Sequence, residues 1–149
     1  MKTTLRNWMF ALMLLVGCAM PAWADKDTPI SVNQLPNTAQ QVVNRHFSGR
    51  KVALAKQETG VFEKSYEIIF TNGDKVEFDR GGNWTELDCK YSSVPSALVP
   101  SAIRSYVAKQ YAGSTIRKIE RDRNGYEVKL SNGVEIEFNK KFQVVDIDI

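Results

Sequence analysis

The residues of this chain that could do chemistry are mostly acids. Glu67, Glu77, Glu127 and Glu137 flank two Asn-Gly pairs, Asn72-Gly73 and Asn132-Gly133, at matching spacing. Asn-Gly between segments of alternating polarity marks a β-hairpin. A two-residue loop would set Phe70 beside Lys75 on one face. A three-residue loop closing on a left-handed Gly instead pairs Phe70 with Asp74, Ile68 with Val76 and Tyr66 with Phe78, which keeps the apolar face intact. In that register Glu67 lies opposite Glu77, and Glu127 lies opposite Glu137. Like charges facing each other across a ladder are unfavourable by roughly a few tenths of a kcal/mol or more. The same mismatch in two places points to an acidic spot for a basic partner or to a weak cation site. The plainer alternative is neutralisation by Lys75, Lys129 and the adjacent strands.

Other reactive groups are sparse. The chain has one His and two Cys, too few for a multi-ligand zinc site, and no metal is expected. His46 falls late in a predicted helix where the matching position further along is Gln110, which suits a surface or edge site better than a general base. Cys89 reads as a small buried hydrophobe near a strand end, or as a thiol that pairs between chains. The sequence carries no Gly-rich phosphate loop, no Gly-x-Ser-x-Gly, no His-x-x-x-His and no Cys-x-x-Cys. Paired carboxylates on a flat, wet sheet lack the apolar cleft that raises one pKa for acid–base work. The reading is therefore not an enzyme, with no catalytic residues and no cofactor.

The elements that must position these residues show a doubled pattern. Leu35-Pro36 through Asp88 can be laid on Val99-Pro100 through Asp148, matching Pro36 with Pro100, Val43 with Val107, Gly49 with Gly113, Tyr66-Glu67 with Tyr126-Glu127 and Glu77-Phe78 with Glu137-Phe138. In each copy a Pro opens a helix. Ala39, Val42, Val43 and Phe47 form one apolar stripe; Ile103, Tyr106, Val107 and Tyr111 form the other. Strands follow around Val52 to Lys56 and Ile116 to Arg121. Clean period-two alternation then runs through Tyr66–Phe70, Val76–Phe78, Tyr126–Leu130 and Val134–Phe138, and short strands follow at Trp84–Asp88 and Val144–Asp148. These signals predict an α+β fold: a tandem repeat of one helix plus a four-stranded antiparallel sheet, with the helices on one face. The expected divisions are a signal peptide over 1–24, an N-terminal segment over 25–34, a first helix-plus-sheet repeat over 35–89, a linker over 90–98 and a second repeat over 99–149.

The opening segment reads as an export signal. Lys2 and Arg6 precede the apolar run Trp8–Met20, and Ala22-Trp23-Ala24 is followed at once by Asp25-Lys26-Asp27. This is the form of a secretory signal peptide cleaved near Ala24, and the run is short for a membrane span. Leu15-Val16-Gly17-Cys18 also resembles a lipobox, so a lipid anchor at Cys18 on the outer membrane is the alternative. The expected location is periplasmic or secreted, with no transmembrane segment. The whole chain has 20 basic and 17 acidic residues, net +3. Without the leader it has 18 basic residues against 17 acidic, a near balance that argues against a nucleic-acid partner.

Taken together, Tyr66-Glu67, Asn72-Gly73, Glu77-Phe78-Asp79 and Gly82-Asn83-Trp84, with Gly125-Tyr126-Glu127-Val128, Asn132-Gly133 and Glu137-Phe138, resemble the PepSY-like, putative beta-lactamase-inhibitor-like family of small secreted bacterial proteins. The resemblance implies an architecture like that of beta-lactamase inhibitor proteins, whose concave sheet grips a partner enzyme. It carries over no catalytic residue and no inhibitory motif. It transfers only a candidate surface: Glu67, Ile69, Lys75, Glu77 and Trp84, with Glu127, Lys129, Glu135 and Glu137.

An aliphatic or aromatic anchor amid polar groups is how protein-binding surfaces are built, which is why Ile69 and Trp84 join that set. Closing the end of the core is the other reading of Trp84. The function expected is an exported, non-catalytic module that binds a protein or peptide, such as an envelope hydrolase it restrains, through its outer sheet face. The alternative is a small-ligand or cation-binding protein that uses the Glu pairs.

Overall fold

The computed structural model describes residues 26–149; the expected signal peptide, its cleavage near Ala24 and the Cys18 lipid anchor lie outside the described residues. The chain runs β1 (Lys26–Ile30), α1 (Asn37–His46), β2 (Val52–Thr59), β3 (Lys64–Phe70), β4 (Lys75–Phe78), β5 (Trp84–Asp88), α2 (Ser101–Gln110), β6 (Ile116–Asp122), β7 (Gly125–Leu130), β8 (Glu135–Asn139) and β9 (Val144–Asp148). All nine strands join one antiparallel sheet in sequence order, with β1 and β9 at its edges.

This corrects the expected tandem repeat of two helix-plus-four-strand units. The molecule is a single nine-stranded sheet with two α-helices among the described residues. Two pairings make the difference. β5 pairs with β6 directly across the expected boundary, setting Glu86 against Glu120, Leu87 against Ile119 and Asp88 against Lys118. The N-terminal segment over 25–34 supplies β1, which pairs along β2 from Lys26↔Thr59 to Ile30↔Ala55. Two separate sheets would leave β5 and β6 as open edges with unpaired backbone N–H and C=O groups, and one continuous ladder removes both. Local alternation reports which face a residue takes but not which strand lies beside it.

The core is also one body. Ala39 and Val43 of α1 and Ile103 and Val107 of α2 are buried in the same cluster as Ile68, Phe70, Val76, Phe78, Leu87, Ile119, Val128, Ile136 and Phe138 of the strands. Phe47 stacks on Phe70 at 5.2 Å between ring centroids, and Tyr106 meets Phe138 edge-on at 5.5 Å, which ties each helix to the sheet. Both helices have a Pro at the N-cap position, Pro36 and Pro100, where a missing N–H costs little.

The two Asn-Gly hairpins adopt the three-residue form. Phe70 N donates to Asp74 O at 2.8 Å and Gly73 N to Phe70 O at 2.9 Å; Leu130 and Gly133 repeat the pattern with Val134 and Leu130. Gly73 and Gly133 have φ of 91° and 89°, a conformation that favours Gly. Tyr66↔Phe78, Glu67↔Glu77 and Ile68↔Val76 follow on one side, and Tyr126↔Phe138, Glu127↔Glu137 and Val128↔Ile136 on the other.

Candidate functional site

The Glu pairs are parts of something longer. Because β5 and β6 pair, the register carries one row of side chains across the wet face: Glu67, Glu77, Glu86, Glu120, Glu127, Glu137 and Asp146 stand opposite one another in succession from β3 to β9. Lys56 closes the row on β2. Sequence reading found four of these seven carboxylates. Glu86, Glu120 and Asp146 were missed because their places depend on the β5–β6 pairing and on a bulge before Phe78 and before Phe138.

A second row, one step along the strands, supplies the counter-charge. Lys75 Nζ lies 3.9 Å from Glu67, 3.6 Å from Glu77 and 3.8 Å from Glu86. Lys118 Nζ lies 3.4 Å from Glu86 and 2.9 Å from Glu120. Lys129 reaches Glu135 at 3.3 Å, and Lys56 reaches Glu58 at 2.8 Å, Asp27 at 3.0 Å and Glu67 at 3.6 Å. Lysines thus temper the crowding, as the plainer reading of the sequence had it, but they do not remove it. Burial, the neighbouring Glu86 carboxylate and a hydrogen bond with Glu67 push Glu77 up to about 8. Burial, followed by Glu120 among the acids, raises Glu86 despite Lys118 and Lys75. Burial lowers Lys118, but its bonds to Glu120 and Glu86 more than offset it and leave it raised.

The twisted face forms two concavities that share Glu77, Glu86, Glu120 and Glu127. One, of about 780 Å³, is lined also by Asp88 and Glu135 and by Lys75, Lys90, Arg117, Lys118 and Lys129, so its charges nearly balance. The other, of about 650 Å³, includes Phe62, Arg80 and Arg121. Ile69 lies on this wet face between Leu54 and Lys75, where Leu54 is itself exposed, so the two form an aliphatic patch beside the acids. The structure therefore brings Glu67, Ile69, Lys75, Glu77, Glu127, Lys129, Glu135 and Glu137 onto one face. It does not bring Trp84 there. Trp84 pairs with Phe78 and is buried in the core, with the Arg121 guanidinium 3.9 Å above its ring and Arg121 Nε donating to its carbonyl at 2.6 Å. The bulge before Phe78 turns Trp84 inward, so it closes the core rather than anchoring a partner.

A buried polar cluster escaped the sequence reading altogether. Asp74 is fully buried and accepts from Arg50 at 2.8 Å, Asn72 Nδ2 at 3.0 Å, Tyr91 N at 3.2 Å and Ser92 Oγ at 2.5 Å. Arg50 also reaches Cys89 Sγ at 3.5 Å and Ser93 O at 3.3 Å, and Arg117 donates to Ser92 O. These bonds fasten the segment 89–94 beneath the sheet. Cys89 is a free, buried thiol, and burial raises its pKa, which fits packing rather than reactivity. The one available signal was Asp74 standing where Val134 lies in the other hairpin.

Among the described residues no helix is long and apolar enough to cross a membrane. No group of three or more His, Cys, Asp or Glu residues among them is arranged to hold a metal ion.

The profile of the "putative beta-lactamase-inhibitor-like, PepSY-like" family matches residues 64–146. The chain belongs to this PepSY-like family. Its matched span runs from β3 to β9 and so contains the entire carboxylate row. Solved structures agree. A "putative periplasmic protein" of the DUF2874 family from Bacteroides vulgatus is 60% identical, with a TM-score of 0.82 over 85% of this chain and 99% of that one. A "putative calcium-regulated periplasmic protein" from Bacteroides thetaiotaomicron is 56% identical, with a TM-score of 0.81 over 83% of this chain and 97% of that one. A third, from Bacteroides vulgatus and of unknown function, is 39% identical, with a TM-score of 0.77 over 85% of this chain and 100% of that one. No curated protein matches the chain. This PepSY-like protein is periplasmic, the location its structural relatives share.

Proposed function

We propose that this PepSY-like protein is a non-catalytic periplasmic binding module whose acidic sheet face holds a basic protein or peptide, with an envelope hydrolase as the class of partner it would restrain. The observation that carries this reading is the unbroken row from Glu67 to Asp146. Seven carboxylates in register cost the fold electrostatic energy, and Lys56, Lys75 and Lys118 offset only part of it. Basic side chains docked into the second concavity, where acids outnumber Lys and Arg, would add to the neutralisation, and the Leu54–Ile69 patch would add apolar contact. Complementary charge of this kind sets register and speeds encounter. The test is capture of partners from the native envelope by the purified protein, alongside a Glu120→Lys, Glu127→Lys variant shown to be folded. One stoichiometric partner, retained by the protein and lost by the variant, supports the reading; an empty capture, or equal capture by both, opposes it.

A second reading rests on the 56%-identical relative described as calcium-regulated. Calcium takes six to eight oxygen ligands, and the crowded carboxylates are the candidate donors, the Glu67–Glu77 and Glu127–Glu137 pairs first. A calcium-dependent rise in melting temperature, absent from a Glu67→Gln, Glu77→Gln double variant, would favour it.

A further inference from the structure

Two strands that contribute to the carboxylate row, β5 and β9, are built alike but finished differently. β5 ends in Glu86-Leu87-Asp88 and β9 in Asp146-Ile147-Asp148. Each lies in the same register on its inner neighbour: Glu77↔Glu86, Val76↔Leu87 and Lys75↔Asp88 on one side, Glu137↔Asp146, Ile136↔Ile147 and Glu135↔Asp148 on the other. The outer side of β5 is covered by β6, which places Ile119 opposite Leu87 and Lys118 opposite Asp88. Leu87 is thereby fully buried, whereas Ile147 is 39% exposed and Val145 56%. Among the described residues β9 is an edge, and its outer backbone groups face no strand.

We infer that β9 is a docking edge that accepts an extended segment of another protein by strand addition, a segment with Lys or Arg opposite Asp148 and an aliphatic residue opposite Ile147. This edge adjoins the sheet face, with Asp146 common to both, and its use of the β9 backbone goes beyond the function proposed above. The β5–β6 pairing is the chain's own example of the complement: antiparallel Lys118-Ile119-Glu120 lies against Glu86-Leu87-Asp88, so one acid pair, Glu86 with Glu120, is carried beside the Lys118–Asp88 and Ile119–Leu87 pairs. A second copy of the chain does not supply that complement. Antiparallel β9 against β9 about Ile147 would oppose Asp146 to Asp148 twice with no lysine between them, where β6 offers one acid pair and one Lys–Asp pair, so self-pairing is disfavoured. The other edge, β1, carries Asp27 and Pro29 on the wet side, opposite Glu58 and Lys56, so it would bring an acid and a residue with no N–H to donate. Acids on β9 therefore guard the edge against self-association and select a basic strand, and strand addition itself supplies affinity through main-chain hydrogen bonds.

The test uses a synthetic peptide of residues 115–123, the β6 sequence Thr-Ile-Arg-Lys-Ile-Glu-Arg-Asp-Arg, titrated into isotope-labelled protein and followed by amide shifts and hydrogen exchange. Saturable shifts and slowed exchange across 144–148 are expected. Changing the peptide's Lys118→Glu should weaken binding roughly fivefold to tenfold, and Asp148→Lys in the protein should restore it. Absence of binding at millimolar peptide overturns the inference, as does displacement of β6 from β5, or protection of β9 by concentration-dependent dimerisation without peptide. Shifts confined to the face around Glu77 and Glu120, with β9 untouched, also overturn it, while leaving the face-binding function intact.

Discussion

Glu86 of β5 and Glu120 of β6 stand directly opposite each other, and the Lys118 ammonium bridges them at 3.4 and 2.9 Å. This contact lies where the two halves of the sheet meet, so the pairing that joins the sheet also joins two short acidic pairs into one row. Fold and candidate site are the same event here. The site would not exist as a continuous surface if β5 and β6 were separate edges.

Burial of Glu77, with the Glu86 carboxylate beside it, makes stability fall with rising pH. Glu77 titrates near 8 in the folded protein, above an ordinary carboxylate. Between the unfolded value and about 8 the folded state holds the extra proton, so stability decreases as pH rises through that window. Glu77→Gln is expected to raise Tm at pH 8, by about 3–5 °C if roughly 1 kcal/mol of repulsion is relieved, and to leave it nearly unchanged at pH 4. Thermal melts at the two pH values check this.

Asp74 supports the segment 89–94 by accepting from Arg50, Tyr91 N and Ser92. Asp74→Ala would strand the Arg50 guanidinium and three further donors, which predicts a loss of about 3–5 kcal/mol in urea unfolding. Amide exchange of the segment 89–94 should rise with it.

Trp84 is a core residue, so its removal is structural. Trp84→Ala should cost about 3–5 kcal/mol and lower Tm by ten degrees or so. Near-ultraviolet circular dichroism and melts read the change. Any loss of partner binding in this variant would track unfolding.

Gly125 starts β7 at φ 146°, and a Cβ there would sit 2.0 Å from the Phe138 carbonyl oxygen. Gly125→Ala should therefore force β7 and β8 apart at that end and destabilise by about 1–3 kcal/mol. The Gly125↔Asn139 and Tyr126↔Phe138 pairs should open first, as hydrogen exchange would show.

Much of this was legible in the sequence for a local reason. Strand alternation and the Asn-Gly turns fixed the Glu67–Glu77 and Glu127–Glu137 pairs, since a one-residue slip would have moved Ile68 and Val128 out of the core. Ile69 and Lys75 followed from the same parity. The single sheet was not legible, because pairing between β5 and β6 depends on the distance-spanning choice of a neighbour, and Leu87 and Ile119 look the same beside any apolar partner. Trp84 misled because the bulge before Phe78 shifts parity by one. The hairpin register placed Asp74 opposite Phe70 but not its polar contacts, since its partners Arg50 and Ser92 lie 24 and 18 positions away.

The most direct test of the acidic face is zero-length carbodiimide cross-linking in the native envelope, which joins carboxylates to lysines in contact, followed by mass spectrometry. The account predicts cross-links from Glu77, Glu86, Glu120 or Glu127 to lysines of one partner protein, with links to Lys75 and Lys118 of the same chain as the internal reference. Internal links alone, or partner links confined to residues away from this row, would contradict it.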